Sequence, residues 1–585
     1  MEWKSNYEKW INFAALDIEL KKQLEADANN PQLLEDYFYK QLEFGTGGMR
    51  GEIGPGTNRL NIYTIRKATE GLARLIKSHG EKAKKRGVVV AYDSRHKSSE
   101  FALEVAKVLG VHGITTYLFE SLRATPILSF AVRYLNASSG IVLTASHNPP
   151  EYNGYKVYGE DGGQLPPRDA DVLVQYVNQV GDELLIDVLD VDTLKNQRLL
   201  QMIGDEVDEA YLSALSRIHL QPKLMKMHGK MLSIVFSPLH GTSNVMIQRG
   251  LDRLGFRNVT VVKEQAMPDP NFSTVKSPNP EEHEAFELAI EYGKQVDADI
   301  LLATDPDADR LGVAVKNPEG NYVVLTGNQT GAILLEYLLS QKQKKGIIPK
   351  NGVILKTIVT SELGREIANA YGLLTLDTLT GFKFIGERIF EFERTNEYHF
   401  QFGYEESYGY LIGDFVRDKD AIQTAIFACE VALYYKKQGK NLYDGLMEIF
   451  EKYGYFSEGL HAITLKGIDG AKQIQDLMMY FRKNPPSEVA GINIQAIEDY
   501  QSGWRINLKG KSEKRLSLPE SNVLKYYLED ESWFCLRPSG TEPKIKFYYG
   551  VKGESFLDGR KRIHEMKEDL DRQVSTILKD FSEKH

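Results

Sequence analysis

The chain has 585 residues, of which 42% are hydrophobic and 26% are charged. This length exceeds what one hydrophobic core covers, so we expect several domains. A formal net charge of −9 excludes general electrostatic attraction to nucleic acid or anionic membranes, so any phosphate affinity must come from local sites. Only two cysteines, Cys429 and Cys535, are present, which excludes a disulfide scaffold and a cysteine-based zinc ribbon and fits a reducing compartment.

The first 44 residues are charged, and Trp3, Trp10, Ile11 and Phe13 are spaced as on one helical face. We therefore expect an N-terminal helical extension packed on the first domain. The first ten residues lack an apolar signal core, and no run reaches the roughly 18 to 20 apolar residues that span a bilayer. These features predict a cytoplasmic protein.

Helical and strand patterns alternate from Arg66 onwards. A helical pattern from Arg66 ends near Gly87 and is followed by a buried strand at 88–92. Further strands are predicted at 114–118, 140–144, 232–236, 258–262, 300–304, 353–359 and 373–376, with helices near 101–109, 127–135, 244–254 and 421–436. Such alternation predicts an α/β fold with partly parallel sheets.

The C-terminal part changes character. Strands are predicted around 461–465, 504–508 and 533–536, and helices at 471–481 and from Leu557. The sequence therefore predicts three similar α/β domains and a different fourth. We place the extension at 1–44 and the domains at 45–215, 216–329, 330–452 and 453–585.

A first candidate loop follows the predicted strand at 140–144. It runs from Thr144 to Pro150 and contains Ser146, and ligands bind at the carboxyl ends of strands in open α/β sheets. We expect this hydroxyl to be exposed at the strand end. A structural turn is the alternative interpretation. A serine hydrolase is disfavoured because the Gly-x-Ser-x-Gly pattern is missing.

A second loop places Asp305, Asp307 and Asp309 at alternate positions between two apolar runs. Three carboxylates can point their oxygens at one hard cation, which favours magnesium or calcium over zinc. An EF-hand is excluded, because Arg310 stands where that loop needs glycine and Lys316 where it needs glutamate.

Two further loops carry groups suited to sugars and phosphates. The segments 380–383, 403–409 and 417–420 hold adjacent carboxylates, hydroxyls and basic residues that can bind sugar hydroxyls, although each also fits a solvated loop. The segment Arg537 to Lys544 combines a guanidinium, two hydroxyls and a glycine turn, which together suit a phosphate, and a structural turn is the alternative.

Taken together, four loops resemble the signature loops of the α-D-phosphohexomutase family, which includes phosphoglucomutases and phosphomannomutases. The matching segments occur in the family's order, one in each predicted domain, at 144–149, 305–310, 405–407 and 537–544. This resemblance implies three α/β/α domains with mixed sheets and a fourth, α+β domain like the TATA-binding protein, arranged around a central cleft.

The resemblance also implies a role for each loop. Ser146 would carry the phosphoryl group and, with Asp305, Asp307 and Asp309, bind Mg²⁺. The implied substrate-binding residues are Thr46, Arg310, Thr380, Gly381, Glu405, Ser407, Arg537, Ser539, Gly540, Thr541 and Lys544. The candidates for proton transfer and phosphate stabilisation, which the sequence does not rank, are Arg50, His147, Lys156 and Lys419.

The implied reaction is the reversible interconversion of α-D-glucose 1-phosphate and glucose 6-phosphate, through phosphoserine and glucose 1,6-bisphosphate. Within the family, the loop at 405–407 and the tryptophan-containing extension most resemble the type-2 phosphoglucomutase branch. Phosphopentomutase and phosphomannomutase activities are alternatives, and an inactive sugar-phosphate sensor is a remote one. We expect small-molecule sugar phosphates as partners, not nucleic acid or membrane, and a monomer or weak homo-oligomer.

Overall fold

A computed structural model describes residues 2–45, 48–465, 467–510, 512–539 and 544–583. The chain forms two compact units, which we describe separately. Unit one comprises Met1–Thr330, Lys344–Val353 and Gly381–Tyr443, and unit two comprises Gly331–Gln343, Ile354–Thr380 and Asp444–His585.

The N-terminal extension consists of short helices: α1 (Glu2–Ile11), α2 (Ile18–Ala26) and α3 (Pro31–Phe38). Asp17 caps α2 by accepting hydrogen bonds from two backbone N–H groups of its first turn. Trp10 is fully buried, with its ring edge-on to Phe38 and Tyr63. Trp3, Trp10 and Ile11 lie on α1 and Phe13 lies beyond its end, and all four pack in one apolar cluster that includes Tyr63.

The first sheet of unit one has the strand order β1-β2-β6-β5-β3-β4-β7. Its strands are β1 (Phe44–Gly45), β2 (Gly48–Glu52), β3 (Val88–Tyr92), β4 (Thr116–Phe119), β5 (Ser139–Leu143), β6 (Tyr152–Tyr158) and β7 (Leu200–Ile203). Strands β5, β3, β4 and β7 run parallel, whereas β1, β2 and β6 add antiparallel neighbours. The sheet is therefore mixed, as predicted.

Helices cover this sheet: α4 (Ile62–Ser78), α5 (Glu81–Arg86), α6 (Ser98–Val111), α7 (Thr125–Tyr134), α8 (Pro167–Asn178) and α9 (Val191–Asn196). The single helix predicted from Arg66 to Gly87 was wrong. Instead, α4 ends at Ser78 and α5 begins at Glu81. Between them, Gly80 has a φ of 90°, which lies in a region that favours glycine.

A second sheet in unit one has the order β12-β11-β10-β8-β9. The elements of this part are α10 (Asp205–Leu215), α11 (Pro222–His228), β8 (Ile234–Ser237), α12 (Asn244–Leu254), β9 (Val259–Val261), α13 (Glu287–Val296), β10 (Ile300–Thr304), β11 (Leu311–Lys316) and β12 (Tyr322–Val324). Strands β8, β9 and β10 are parallel, and β10 and β11 form an antiparallel pair. The connection between β10 and β11 therefore lies at the carboxyl edge of the parallel strands.

The next elements are α14 (Gly327–Lys344), β13 (Gly352–Thr357), α15 (Leu363–Ala370), β14 (Leu374–Thr378), α16 (Phe382–Thr395), β15 (His399–Glu405), β16 (Gly409–Leu411), α17 (Ala421–Lys436) and α18 (Leu442–Tyr453). In unit one, β15 and β16 form an antiparallel hairpin. Helix α17 is apolar on almost every side and buried along nearly its whole length, as expected of a helix enclosed by neighbours.

The C-terminal part of unit two is an antiparallel sheet with two helices. Its elements are β17 (Tyr455–Thr464), α19 (Gly467–Lys483), β18 (Glu488–Val489), β19 (Ile492–Asp499), β20 (Trp504–Asn507), β21 (Ser512–Arg515), β22 (Leu524–Leu528), β23 (Trp533–Pro538), β24 (Lys544–Gly553) and α20 (Phe556–Glu583). Residues of α19 and α20, such as Leu477 and Leu570, share one apolar core with the sheet. This α+β architecture differs from the preceding domains, as predicted. Within the described ranges, every helix is too short or too polar to cross a bilayer.

Replacing Trp10 with alanine should destabilise the protein by about 3–5 kcal/mol, because the change leaves a large cavity under α1. It also removes the hydrogen bond of 2.9 Å that the indole Nε1 donates to the buried carboxylate of Glu183. Urea denaturation followed by circular dichroism measures the loss. Trp504→Ala is the matched control, since that tryptophan is exposed on β20. Equal losses in the two variants would contradict the packing described for Trp10.

Candidate active site

Ser146 lies in the loop between β5 and β6, three residues after the strand ends. Its Oγ donates a hydrogen bond of 2.7 Å to Asp305 Oδ2 and lies 3.1 Å from His147 Nδ1. The expectation of an exposed hydroxyl was wrong, because only 4% of the residue is exposed. The loop that carries the three aspartates covers the serine, and the two loops predicted separately from the sequence therefore meet.

The carboxylates of Asp305, Asp307 and Asp309 lie in the connection between β10 and β11, with one oxygen of each within 4.8 Å of the others. All three are buried. Asp307 Oδ1 and Asp309 Oδ1 are buried without a hydrogen-bond partner. Buried carboxylate oxygens without donors are costly unless a cation meets them, so this donor set fits a hard divalent ion such as Mg²⁺.

Two lysines from other elements face this cluster. Lys156 Nζ, on β6, lies 2.9 Å from Asp307 Oδ2 and 3.8 Å from Asp309 Oδ2. Lys419 Nζ, just before α17, lies 3.1 Å from Asp309 Oδ2. Two ammonium groups therefore offset part of the charge of three carboxylates.

The pKa values in the cluster move in opposite directions. Burial, followed by the neighbouring charges of Asp309 and Asp307, raises the pKa of Asp305 well above its ordinary value. Burial also disfavours charge on Asp307, but the ammonium of Lys156, the hydrogen bond with Asp305 and the charge of Lys419 together outweigh it and lower the pKa of Asp307. For Lys419, burial is likewise outweighed, by Asp309 and Asp418, so its pKa is raised. Lys156 therefore favours the ionised form of Asp307, and Asp309 and Asp418 favour the protonated form of Lys419.

Neighbouring elements fix the backbone of the aspartate loop. The Thr242 N–H donates a hydrogen bond of 2.9 Å to the Pro306 carbonyl, and a Cβ on Gly241 would come within 2.5 Å of Pro306 Cα. On the other side, the Thr125 N–H donates to the Asp307 carbonyl, and Thr125 Oγ1 donates to Asp307 Oδ2, both at 2.9 Å. The loop therefore depends on close packing from the start of α7 and from the segment before α12.

Basic groups surround His147. Arg310 forms an ion pair with Glu281, and Arg50 Nη1 donates a hydrogen bond of 2.9 Å to Asn148 Oδ1. Burial, followed by the charges of Arg310 and Arg50, lowers the pKa of His147 well below its ordinary value. The imidazole beside Ser146 is therefore neutral near pH 7.

The β15–β16 hairpin brings Glu405 towards the same region. Its Oε1 accepts a hydrogen bond of 2.8 Å from the Gly381 N–H, and Ser407 lies in the hairpin turn. Burial raises the pKa of Glu405 to about 7, against the opposing charge of Lys419. Gly409 on β16 packs so closely that an added Cβ would lie 2.1 Å from Lys419 Cδ.

The remaining predicted residues lie in unit two or outside the residues that the structure describes. In unit two, Arg537 lies at the end of β23 and Lys544 at the start of β24, and the Ser539 N–H donates a hydrogen bond of 2.7 Å to the Lys544 carbonyl. Thr380, also in unit two, is half-buried just after β14. Thr46, Gly540 and Thr541 lie outside the described residues.

Sequence reasoning missed several residues that contact the site: Arg95, Thr125, Tyr158, Gly241 and Glu281. Tyr158 OH donates a hydrogen bond of 2.8 Å to Asp418, whose other oxygen accepts from the Lys419 N–H, also at 2.8 Å. Each stands alone in sequence without a diagnostic motif. Among these five residues, the sequence pattern could have indicated Arg95 as a site residue, because it follows the buried strand β3 as Ser146 follows β5.

Comparison with known proteins assigns the family. Models of the phosphoglucomutase/phosphomannomutase α/β/α domains I, II and III match residues 41–183, 209–320 and 326–453. The chain therefore belongs to the phosphoglucomutase/phosphomannomutase family. The domain boundaries near 215, 329 and 452 stay a prediction.

Individual relatives agree with this assignment. A phosphoglucomutase of Staphylococcus aureus (strain MSSA476) is 40% identical over 529 residues, which cover 90% of this chain and 93% of the relative. A Paramecium structure of pp63/parafusin, a phosphoglucomutase in its open form, has a TM-score of 0.65 at 16% identity and covers 92% of this chain and 96% of its own. A structure of an Aspergillus fumigatus N-acetylphosphoglucosamine mutase, in complex with GlcNAc-6P and magnesium, has a TM-score of 0.51 at 12% identity. This match covers 96% of the present chain and 99% of the Aspergillus chain.

Replacing Thr125 with valine should weaken binding of Mg²⁺ to the candidate site by about 10-fold or more, because a group that orients the Asp307 carboxylate is lost. Isothermal titration of the purified protein with Mg²⁺ measures the affinity. Thr116→Val is the matched control: that buried hydroxyl has no hydrogen-bond partner and lies on β4, outside the site. An unchanged affinity in Thr125→Val would show that Asp307 does not need this support.

Proposed function

We propose that this protein is a phosphoglucomutase that reversibly interconverts α-D-glucose 1-phosphate and glucose 6-phosphate. The observation that carries the proposal is the contact of 2.7 Å between Ser146 Oγ and Asp305 in the buried three-aspartate cluster. The 40% identity with a phosphoglucomutase over 90% of the chain supports glucose as the sugar. Members of this family are phosphohexomutases, so the protein is an isomerase.

In the proposed reaction, Ser146 Oγ carries the phosphoryl group and passes it to a sugar hydroxyl, which leaves a bisphosphate. The bisphosphate then reorients in the site and returns its other phosphoryl group to the serine. Asp305, Asp307 and Asp309 would hold Mg²⁺, which neutralises charge on the transferring group when it is bound. Phosphoryl transfer depends mainly on positioning and charge neutralisation, and the buried cluster is suited to both.

The basic groups divide between two tasks. Lys156 and Lys419 are paired with carboxylates in the cluster and would stabilise negative charge on the phosphoryl oxygens. His147 is neutral and its Nδ1 lies 3.1 Å from Ser146 Oγ, which donates its own proton to Asp305, so His147 would orient this oxygen through a hydrogen bond. Arg50 would bind phosphate next to the serine loop.

We propose that Glu405 recognises sugar hydroxyls, with Ser407, Thr380 and Gly381. For unit two, we propose that Arg537, Ser539 and Lys544 bind the phosphate that does not react. Arg310 and Thr46 would contribute to substrate binding, and Gly540 and Thr541 would belong to the same phosphate loop. The support for these roles is the match to the family's signature loops and the hydroxyl, guanidinium and ammonium groups themselves.

A competition experiment tests the sugar. The protein is given Mg²⁺, catalytic glucose 1,6-bisphosphate and equal amounts of glucose, mannose and ribose 1-phosphates, and ³¹P NMR follows each conversion. Fastest formation of glucose 6-phosphate supports the proposal. Faster use of ribose 1-phosphate would make the protein a phosphopentomutase, faster use of mannose 1-phosphate a phosphomannomutase, and no conversion of any sugar would contradict a mutase function.

Ser146→Ala should reduce turnover to the level seen without enzyme, because no oxygen is left to carry the phosphoryl group. The fold should persist, since the change removes only the two hydrogen bonds of Ser146 Oγ, worth about 1 kcal/mol each. A coupled assay for glucose 6-phosphate measures turnover, and thermal melting checks the fold. Substantial activity in a folded variant would contradict a phosphoserine mechanism.

Glu405→Gln should flatten the pH dependence of kcat/KM for glucose 1-phosphate between pH 6 and 8. The pKa of Glu405 is raised to about 7, so the carboxylate is ionised above this pH and accepts hydrogen bonds from sugar hydroxyls. As pH falls through 7 it gains a proton, and kcat/KM of the unaltered protein should fall with it. The substrate's own phosphate titrates identically with both proteins, so the difference between the two profiles isolates Glu405. Parallel profiles would contradict this role.

A further inference from the structure

Arg95 is buried below the serine loop, with 3% of its surface exposed. Its Nη1 donates hydrogen bonds to the carbonyls of Pro149 and Tyr152, at 2.7 and 2.9 Å. Its Nη2 donates to the carbonyls of Ser146, at 2.6 Å, and Asn148. One guanidinium therefore binds four carbonyl groups within seven residues of chain.

The loop needs such support because its backbone is unusual at the serine. Ser146 has a φ of 51°, in the left-handed region, which is strained for a residue other than glycine. The Ser146 N–H donates a hydrogen bond of 2.8 Å to Thr144 Oγ1. Buried carbonyls also need donors, and Arg95 supplies four at once. The conformation that aims Ser146 Oγ at Asp305 thus depends on Arg95, together with the Thr144 hydroxyl.

Arg95 is itself held from other directions. Its Nε lies 3.4 Å from Asp93 Oδ2, and both side chains are fully buried. Asp93 Oδ1 accepts hydrogen bonds from the Arg95 N–H and from Ser98 Oγ, at 2.9 and 2.8 Å. The guanidinium also stacks over the Phe272 ring at 4.9 Å. These contacts leave the guanidinium little freedom to turn.

The same contacts distinguish the role of Arg95 from that of the residues proposed to bind phosphate. A guanidinium has five N–H bonds. Its two Nη atoms face four carbonyls, and its Nε faces Asp93, so no N–H is directed to a phosphoryl group on Ser146. Any effect of Arg95 on the reaction must therefore act through the loop.

We propose that Arg95 is a positioning residue for phosphoryl transfer, holding the loop 146–152 so that Ser146 Oγ faces the three-aspartate cluster. The inference rests on the proposed function, which gives Ser146 its chemical role. Lysine keeps the charge but has three N–H bonds on one atom, so it cannot serve four carbonyls. The serine would then sample other orientations, while the residues proposed to bind sugar stay in place.

The test compares Arg95→Lys with Arg66→Lys. Arg66 is mostly buried in the same matched domain and pairs with Glu104 at 2.5 Å, on α4 and α6, away from Ser146. Each dephosphorylated protein is mixed rapidly with glucose 1,6-bisphosphate and Mg²⁺, and intact mass follows phosphorylation. For Arg95→Lys we expect phosphorylation and kcat to fall about 100-fold, the cost of a small misplacement, with KM for glucose 1-phosphate nearly unchanged. Arg66→Lys should keep the original rates.

Two outcomes would overturn the inference while leaving the proposed function intact: a folded Arg95→Lys that is phosphorylated at the original rate, or equal losses in both variants, which would indicate general destabilisation. A wild-type protein that is never phosphorylated would overturn both. If Arg95→Lys does not fold, Asp93→Asn replaces it, since it loosens the guanidinium without removing it. A selective fall in its kcat then supports the inference, and an unchanged kcat overturns it.

Discussion

Three carboxylates buried within 4.8 Å of one another are the constraint on which the rest of unit one depends. Like charges in a low-dielectric interior repel strongly, so such a cluster persists only where neighbouring groups compensate it. Lys156 and Lys419 supply that compensation from β6 and from the segment before α17, so two distant parts of the chain are held to one loop. Two carboxylate oxygens still lack hydrogen-bond partners, which suits a divalent cation.

The cluster is also the point where the serine loop and the aspartate loop meet. Each loop follows a parallel strand, β5 or β10, so each sits at a carboxyl edge where backbone groups are available for ligands. Close packing at Gly241 and hydrogen bonds from Thr125 fix the aspartates, while Arg95 fixes the serine. The Ser146 hydroxyl, which we propose as the reactive group, is thereby aimed by neighbouring elements, as catalysis by positioning requires.

The alternation of apolar strands and helices was sufficient to predict the α/β class, and the regular spacing of Asp305, Asp307 and Asp309 was sufficient to predict that their carboxylates lie together. Local motifs carry such information within a few residues. The burial of Ser146 could not be predicted, because it results from a contact between residues 159 positions apart. Arg95 and Thr125 were missed for the same reason: each acts through partners that only the fold brings near. The break at Gly80 was missed because residues 77–82 are polar, charged or glycine and so contain no apolar pattern that could locate a helix end.

The central claim is that Ser146 carries the phosphoryl group between the two sugar positions, and a single-turnover experiment tests it most directly. Protein carrying a ³²P-labelled phosphoryl group is mixed with unlabelled glucose 1-phosphate and quenched at times shorter than one turnover. We predict that the label leaves the protein at least as fast as kcat and appears in glucose 1,6-bisphosphate, with little inorganic phosphate. Label that stays on the protein while glucose 6-phosphate accumulates would contradict the account.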